Sequence, residues 1–173
     1  MATYSKVTST GNYTLYLEIN ETSYSEVNNT SNVRYSVYFV GGSGTTAWGE
    51  NAQCTANVAG ASKSVSNVSY DMSSSKTCRL ITNQDVNNIA HNDDGTKTIS
   101  FSISFSAGSY VGSCTLTGTF ALTNIPRDPL LKFKVGGAWK SGKVYIKVNG
   151  AWKKAKKIYV KVNGAWKESA LKG

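Results

Sequence analysis

Ile99-Ser-Phe-Ser-Ile-Ser-Phe-Ser106, then Ala107-Gly-Ser-Tyr-Val-Gly112, then Cys114-Thr-Leu-Thr-Gly-Thr-Phe-Ala-Leu122 is the stretch that decides the fold. Ile99, Phe101, Ile103 and Phe105 alternate with four serines, and Cys114, Leu116, Gly118, Phe120 and Leu122 alternate with small polar residues or alanine. A period of two is the signature of a strand with one buried and one wet face. Two such strands around Gly108-Ser109 predict a core hairpin.

The same alternation extends outward from this pair. Leu15, Leu17 and Ile19 share one side of Tyr13–Asn20, and Val33, Tyr35, Val37 and Phe39 share one side of Val33–Val40, with Arg34, Ser36 and Tyr38 on the other. Further strands are expected at Thr3–Thr8, Gln53–Val58, Lys63–Tyr70 and Lys76–Thr82, giving seven or eight in all. For Asn83–Ala90 we expect one helical turn that pins Val86 and Ile89 to the core. Turn clusters such as Gly41-Gly-Ser-Gly44 and Asp93-Asp94-Gly95 separate the strands, and no amphipathic helix competes. The class is all-β, an antiparallel β-sandwich.

At Ile125-Pro126-Arg127-Asp-Pro129 two prolines interrupt any ladder. We therefore place the sandwich at residues 1–125, a Pro-containing linker at 126–130 and a second module at 131–173. That module repeats itself. Leu131-Lys-Phe-Lys-Val-Gly-Gly-Ala-Trp-Lys140 recurs as Val144-Tyr-Ile-Lys-Val-Asn-Gly-Ala-Trp-Lys153 and Ile158-Tyr-Val-Lys-Val-Asn-Gly-Ala-Trp-Lys167. Gly-Gly and Asn-Gly between alternating segments predict hairpins with two-residue turns, because Asn and Gly accept positive φ at both central positions.

The turn fixes the register, and the register assigns two faces. Leu131, Phe133 and Val135, Val144, Ile146 and Val148, and Ile158, Val160 and Val162 form the aliphatic one. Trp139, then Tyr145, Lys147 and Trp152, then Tyr159, Lys161 and Trp166 lie on the other. A lone hairpin is marginal in water. The aliphatic side is thus a candidate assembly face, and the aromatic and cationic side a candidate ligand face.

Charge separates the two parts. Residues 1–130 carry seven Lys and Arg against nine Asp and Glu, whereas residues 131–173 carry twelve Lys against Glu168 alone. All of the net +9 resides in the repeats. Such a surface suits an acidic protein, an anionic glycopolymer or nucleic acid; the alternative is that the lysines only keep exposed β-edges from pairing with other chains. Tail charge is the whole case for nucleic acid, so that partner is not expected.

Three cysteines, Cys54, Cys78 and Cys114, are odd in number and lack CxxC spacing, so we read them as reduced small side chains. No stretch reaches membrane-spanning length and no signal peptide is evident, so we expect synthesis in the host cytoplasm and no membrane insertion. Catalytic, cofactor and metal sites are not expected. His91 is the one histidine, and His91-Asn-Asp-Asp-Gly95 reads as a tight turn rather than a general base or a calcium loop, which would need a distal bidentate Glu. Trp48 is read as core or rim packing, with stacking on a sugar ring as the alternative.

Tyr24-Ser-Glu-Val-Asn-Asn-Thr-Ser-Asn-Val33, His91-Asn-Asp-Asp-Gly-Thr-Lys-Thr-Ile99 and Leu122-Thr-Asn-Ile-Pro-Arg127 together resemble an immunoglobulin-like domain of minor structural and tail-fibre proteins from phages of Gram-positive hosts. The three copies ending Gly-Ala-Trp-Lys resemble carboxy-terminal repeats of phage tail proteins. The resemblance implies an immunoglobulin-like sandwich in a non-enzymatic virion component of tail, fibre or decoration type, a homo-oligomer in contact with other virion proteins. The alternative is an adhesion module that binds anionic glycopolymers of the host wall.

Overall fold

A computed structural model describes residues 1–73, 75–126, 130–155 and 158–168, with backbone alone for 130–134, 139–141, 143, 154, 160 and 168. Eight strands build the sandwich: β1 (Ala2–Val7), β2 (Tyr13–Ser25), β3 (Thr30–Gly41), β4 (Trp48–Val58), β5 (Ala61–Asp71), β6 (Thr77–Ala90), β7 (Thr98–Ser106) and β8 (Ser113–Ala121). They form two antiparallel four-stranded sheets, ordered β1-β2-β3-β6 and β5-β4-β7-β8. The chain changes sheet between β3 and β4, between β5 and β6, and again between β6 and β7. This is the Greek-key pattern of an immunoglobulin-like sandwich, with β1 added at one edge.

Alternation along each strand feeds one core. Leu15, Leu17, Ile19, Val33, Val37 and Phe39 from one sheet meet Ala56, Val58, Ile103, Phe105 and Leu116 from the other, all buried. Phe39 sits at the centre, with ring centroids 4.9 Å from Phe105, 5.5 Å from Tyr70 and 6.3 Å from Tyr13. Four serines of β7 face solvent while Ile99, Phe101, Ile103 and Phe105 face inward, as the alternation requires. Gly118 on β8 pairs with Phe101, whose ring would lie 2.5 Å from any added Cβ, so glycine is the side chain that lets this ring lie flat on the strand.

Two local expectations change. The β7–β8 connection is not a tight hairpin but a helical turn, α1 (Gly108–Val111), which buries Val111 and exposes Tyr110. Residues 83–90 are strand, not helix. Here Ser31 and Val33 of β3 face Ile89 and Val86 of β6, so β6 has one extra residue between them, and the three-residue spacing reports a bulge. Asn83 and Asn88 take φ of 50° and 58°. Their backbone N–H groups donate to Ser36 Oγ at 3.0 Å and Asn32 Oδ1 at 2.8 Å, so the interrupted ladder leaves neither donor unpaired.

The carboxy-terminal region forms three separate two-stranded antiparallel sheets: β9 (Leu130–Val135) with β10 (Ala138–Lys143), β11 (Tyr145–Val148) with β12 (Ala151–Lys154), and β13 (Tyr159–Val162) with β14 (Ala165–Glu168). Among the described residues, no helix is long and apolar enough to cross a membrane.

Candidate functional site

The hairpins owe their shape to their turns. Gly136 and Gly137, Asn149 and Gly150, and Asn163 and Gly164 all have positive φ, between 50° and 83°, as a primed two-residue turn demands. Val148 lies opposite Ala151, Lys147 opposite Trp152 and Ile146 opposite Lys153; the third hairpin repeats this with Val162 and Ala165, Lys161 and Trp166, and Val160 and Lys167. The first follows with Val135 and Ala138, and Lys134 and Trp139. The register therefore puts Val, Ile and Ala on one side, with Lys153 and Lys167 at its margin, and Tyr145, Lys147, Trp152, Tyr159, Lys161 and Trp166 on the other.

Neither side is fully covered. On the aliphatic side Val135, Ile146 and Val162 are 48%, 52% and 41% exposed, and Val144, Val148 and Ile158 are half-buried. Side chains of Leu131, Phe133 and Val160 lie outside the described residues, as does that of Trp139. On the other side Tyr145, Trp152, Tyr159 and Trp166 are exposed, with Lys147 and Lys161 beside them. Lys161 Nζ stands 5.9 Å from the centre of the Trp166 ring, within cation–π range.

The His91 segment closes as a turn. Gly95 N–H donates to Asn92 O at 2.9 Å, and Thr96 N–H to Asp94 Oδ1 at 2.9 Å. His91 itself is buried, with Nδ1 2.8 Å from Gly95 O and Nε2 2.8 Å from Ser31 Oγ. Only a protonated Nδ1 can bond to the Gly95 carbonyl, so in the neutral ring Nε2 accepts from Ser31. A hydroxyl and an imidazole in this arrangement look like a nucleophile and its base, but Ser31 is 1% exposed, which shuts its hydroxyl off from a substrate. The pair ties β3 to the turn ahead of β7.

Glu21 belongs to the same cluster. Burial raises its carboxyl, but hydrogen bonding from Ser31 and Thr123, with the nearby His91, outweighs that and holds it below the ordinary value. Thr123 N–H donates to Oε2 at 2.7 Å. Ser31 has one proton for two acceptors, and when it goes to His91, Glu21 Oε1 is buried without a donor.

Cys54, Cys78 and Cys114 are all free. Burial pushes the Cys54 thiol up to about 12, and it raises the other two as well. Their thiols are thus mostly protonated near neutrality, a state that disfavours nucleophilic attack and metal binding. Among the described residues no three His, Cys, Asp or Glu side chains gather closely enough to hold a metal ion.

Trp48 departs from the packing expectation, since it is 80% exposed. The cause is a bulge. Gly49 and Ala52 of β4 face Tyr70 and Val68 of β5, so β4 gains a residue between them and its inward and outward sides exchange. Gly49 then faces the buried Tyr70, and Trp48 turns outward.

A family model described as a Siphovirus protein of unknown function (DUF859) matches residues 1–168. The chain belongs to that family. The match spans the sandwich and all three hairpins, so this siphovirus family carries both parts together. Comparison with curated proteins and with solved structures gives no match.

Proposed function

We propose that this siphovirus protein is a non-enzymatic structural component of the virion, of tail, fibre or decoration type, which assembles through the aliphatic faces of its hairpins and displays its sandwich outward. One observation carries the reading: in three consecutive hairpins the turn directs Val and Ile to one side, and Val135, Ile146 and Val162 remain about half exposed there. Two-stranded sheets with uncovered aliphatic faces gain little stability alone and gain much from a second layer. Further copies of the chain or other virion proteins supply that layer, and synthesis in the host cytoplasm precedes incorporation into the particle.

Light scattering tests this on the full chain and on Val144→Ser/Ile146→Ser/Val148→Ser. The full chain is expected to form a defined oligomer whose mass does not fall at high salt, and the triple variant a smaller species with its sandwich intact. A monomeric full chain, or an unaltered oligomer in the variant, overturns assembly through this face.

A second reading has its own support in the exposed Tyr145, Trp152, Tyr159 and Trp166 beside Lys147 and Lys161. This surface fits adhesion to an anionic host-wall glycopolymer. Binding of that kind weakens steeply as salt rises, whereas burial of an aliphatic face does not.

A further inference from the structure

We propose that the sandwich carries a saccharide-binding cleft, built on Trp48 and Tyr110, that takes neutral sugars. In the sandwich these are the two most exposed aromatic side chains, at 80% and 82%. Both line one open cleft of about 590 Å³ at the end of the sandwich where the β3–β4 loop and α1 lie. Indoles and phenols normally bury most of their surface or anchor in a contact. Two that face water in the same hollow mark a binding surface.

The backbone aims both rings deliberately. The β4 bulge that turns Trp48 outward interrupts the ladder between Gly49 and Ala52. Tyr110 projects from α1 while its neighbour Val111 and the preceding Ala107 are buried. Thr10 Oγ1 donates to Val111 O at 2.9 Å and Tyr70 OH to Ala107 O at 3.0 Å, which fixes the turn from both sides. Across the cleft the β3–β4 loop is held by Gly42 N–H to Asn12 O at 2.9 Å, Thr45 Oγ1 to Gly42 O at 2.8 Å, and Met72 N–H to Ala47 O at 2.8 Å. The platform is therefore ordered before any ligand arrives, which lowers the entropic cost of binding.

Chemistry of the walls selects the ligand class. Asn12, Ser43 and Thr46 line the cleft, are exposed, and bond through their side chains to no other described residue. A sugar ring offers an apolar C–H face to an aromatic plane and hydroxyls around its rim to such amides and hydroxyls. Among the described residues no charged side chain lines this cleft. The Lys76 ammonium donates to the Thr45 and Met72 carbonyls. On the far side of Trp48 a second hollow is bordered by Glu50 and Asp71. A polyphosphate or nucleic-acid strand would find no cationic side chain among the described lining residues and two carboxylates nearby, so the cleft and the lysine-rich hairpins suit different ligands.

Biolayer interferometry of the full chain against immobilised maltoheptaose, chitotetraose and a neutral rhamnan tests the proposal, with dextran sulfate and a polyproline decapeptide as controls. Saturable binding to at least one neutral saccharide is expected, equal at about 50 mM and about 500 mM salt. Trp48→Ala and Tyr110→Ala should each weaken it roughly tenfold or more, and Trp48→Phe, which keeps a stacking ring, by less. Lys147→Ala/Lys161→Ala should bind as the parent does, and unchanged thermal unfolding of each variant excludes a folding defect. Failure of all three saccharides to bind, binding that survives both alanine variants, or binding to dextran sulfate or polyproline alone overturns it. The cleft and the hairpin faces share no residue, so either proposal can fail without the other.

Discussion

The sandwich and the hairpins are written in the same alternating code and meet opposite fates. In the sandwich Leu15, Leu17, Val37 and Ile103 are fully buried because each sheet faces another sheet. In the hairpins Ile146 and Val162 point to one side just as consistently, yet about half of each side chain stays in water. Alternation assigns residues to a face; burial needs a second layer, which one hairpin cannot provide. The buried apolar core therefore lies within residues 1–126, and the uncovered aliphatic surface lies in the repeats.

The largest expected effect falls at the centre of the sandwich. Phe39→Ala removes a ring that touches Tyr13, Tyr70 and Phe105 and should cost about 3–5 kcal/mol in urea unfolding. A loss below about 1 kcal/mol would mean that the two sheets do not meet at this ring.

Gly118→Ala comes next. The added methyl group meets the Phe101 ring, which is itself held 4.6 Å from Tyr4, so we expect a loss of about 1–3 kcal/mol by the same assay. The turn glycines Gly150 and Gly164 have nothing near a Cβ; alanine there should strain the hairpin's positive φ and leave sandwich unfolding unchanged. Equal losses at Gly118 and Gly150 would show that the two regions unfold as one unit.

Glu21 gives a smaller, pH-dependent effect. Its carboxyl is held below the ordinary 4.5, so the ionised form is favoured by folding. Its contribution is present above that value and is lost as pH falls through it toward the lower folded value. Glu21→Gln should cost about 1 kcal/mol at neutral pH, since the group is partly exposed, and the difference from the parent should shrink on acidification from about pH 4.5 downward. A difference that grows on acidification would reverse the assignment.

The smallest effect on folding is expected for Ile146→Ser, within about 0.5 kcal/mol for sandwich unfolding. The change to watch is in particle mass by light scattering. A large shift in the unfolding midpoint would place Ile146 in a contact with the sandwich and remove the contrast.

Much of this was legible from local chemistry. The β7 alternation, the Leu15, Leu17 and Ile19 series, and the primed turns at Asn149-Gly150 and Asn163-Gly164 depend on neighbouring residues alone. Both faces of each hairpin follow from them, and so do the candidate surfaces. Bulges were not legible. At Val86 and Ile89 one inserted residue imitates helical spacing, and at Gly49–Ala52 another reverses the side on which Trp48 emerges. Asn83 and Asn88, poor helix formers that tolerate positive φ, were the available signal for the first. For the second, a glycine next to the tryptophan was the whole hint.

By itself the sequence determined the all-β class, most of the strands, the turns of the three repeats and the split of charge between the sandwich and its repeats, since each depends on period, propensity or composition. Tertiary structure decided the order β1-β2-β3-β6 against β5-β4-β7-β8, the burial of His91 between Ser31 and Gly95, and the exposure of Trp48 and Tyr110 in one cleft. Those outcomes join residues such as Ser31 and His91, or Trp48 and Tyr110, that lie some sixty positions apart. Which of them meet is set by how the two sheets stack and where their ladders slip, and no local pattern encodes that.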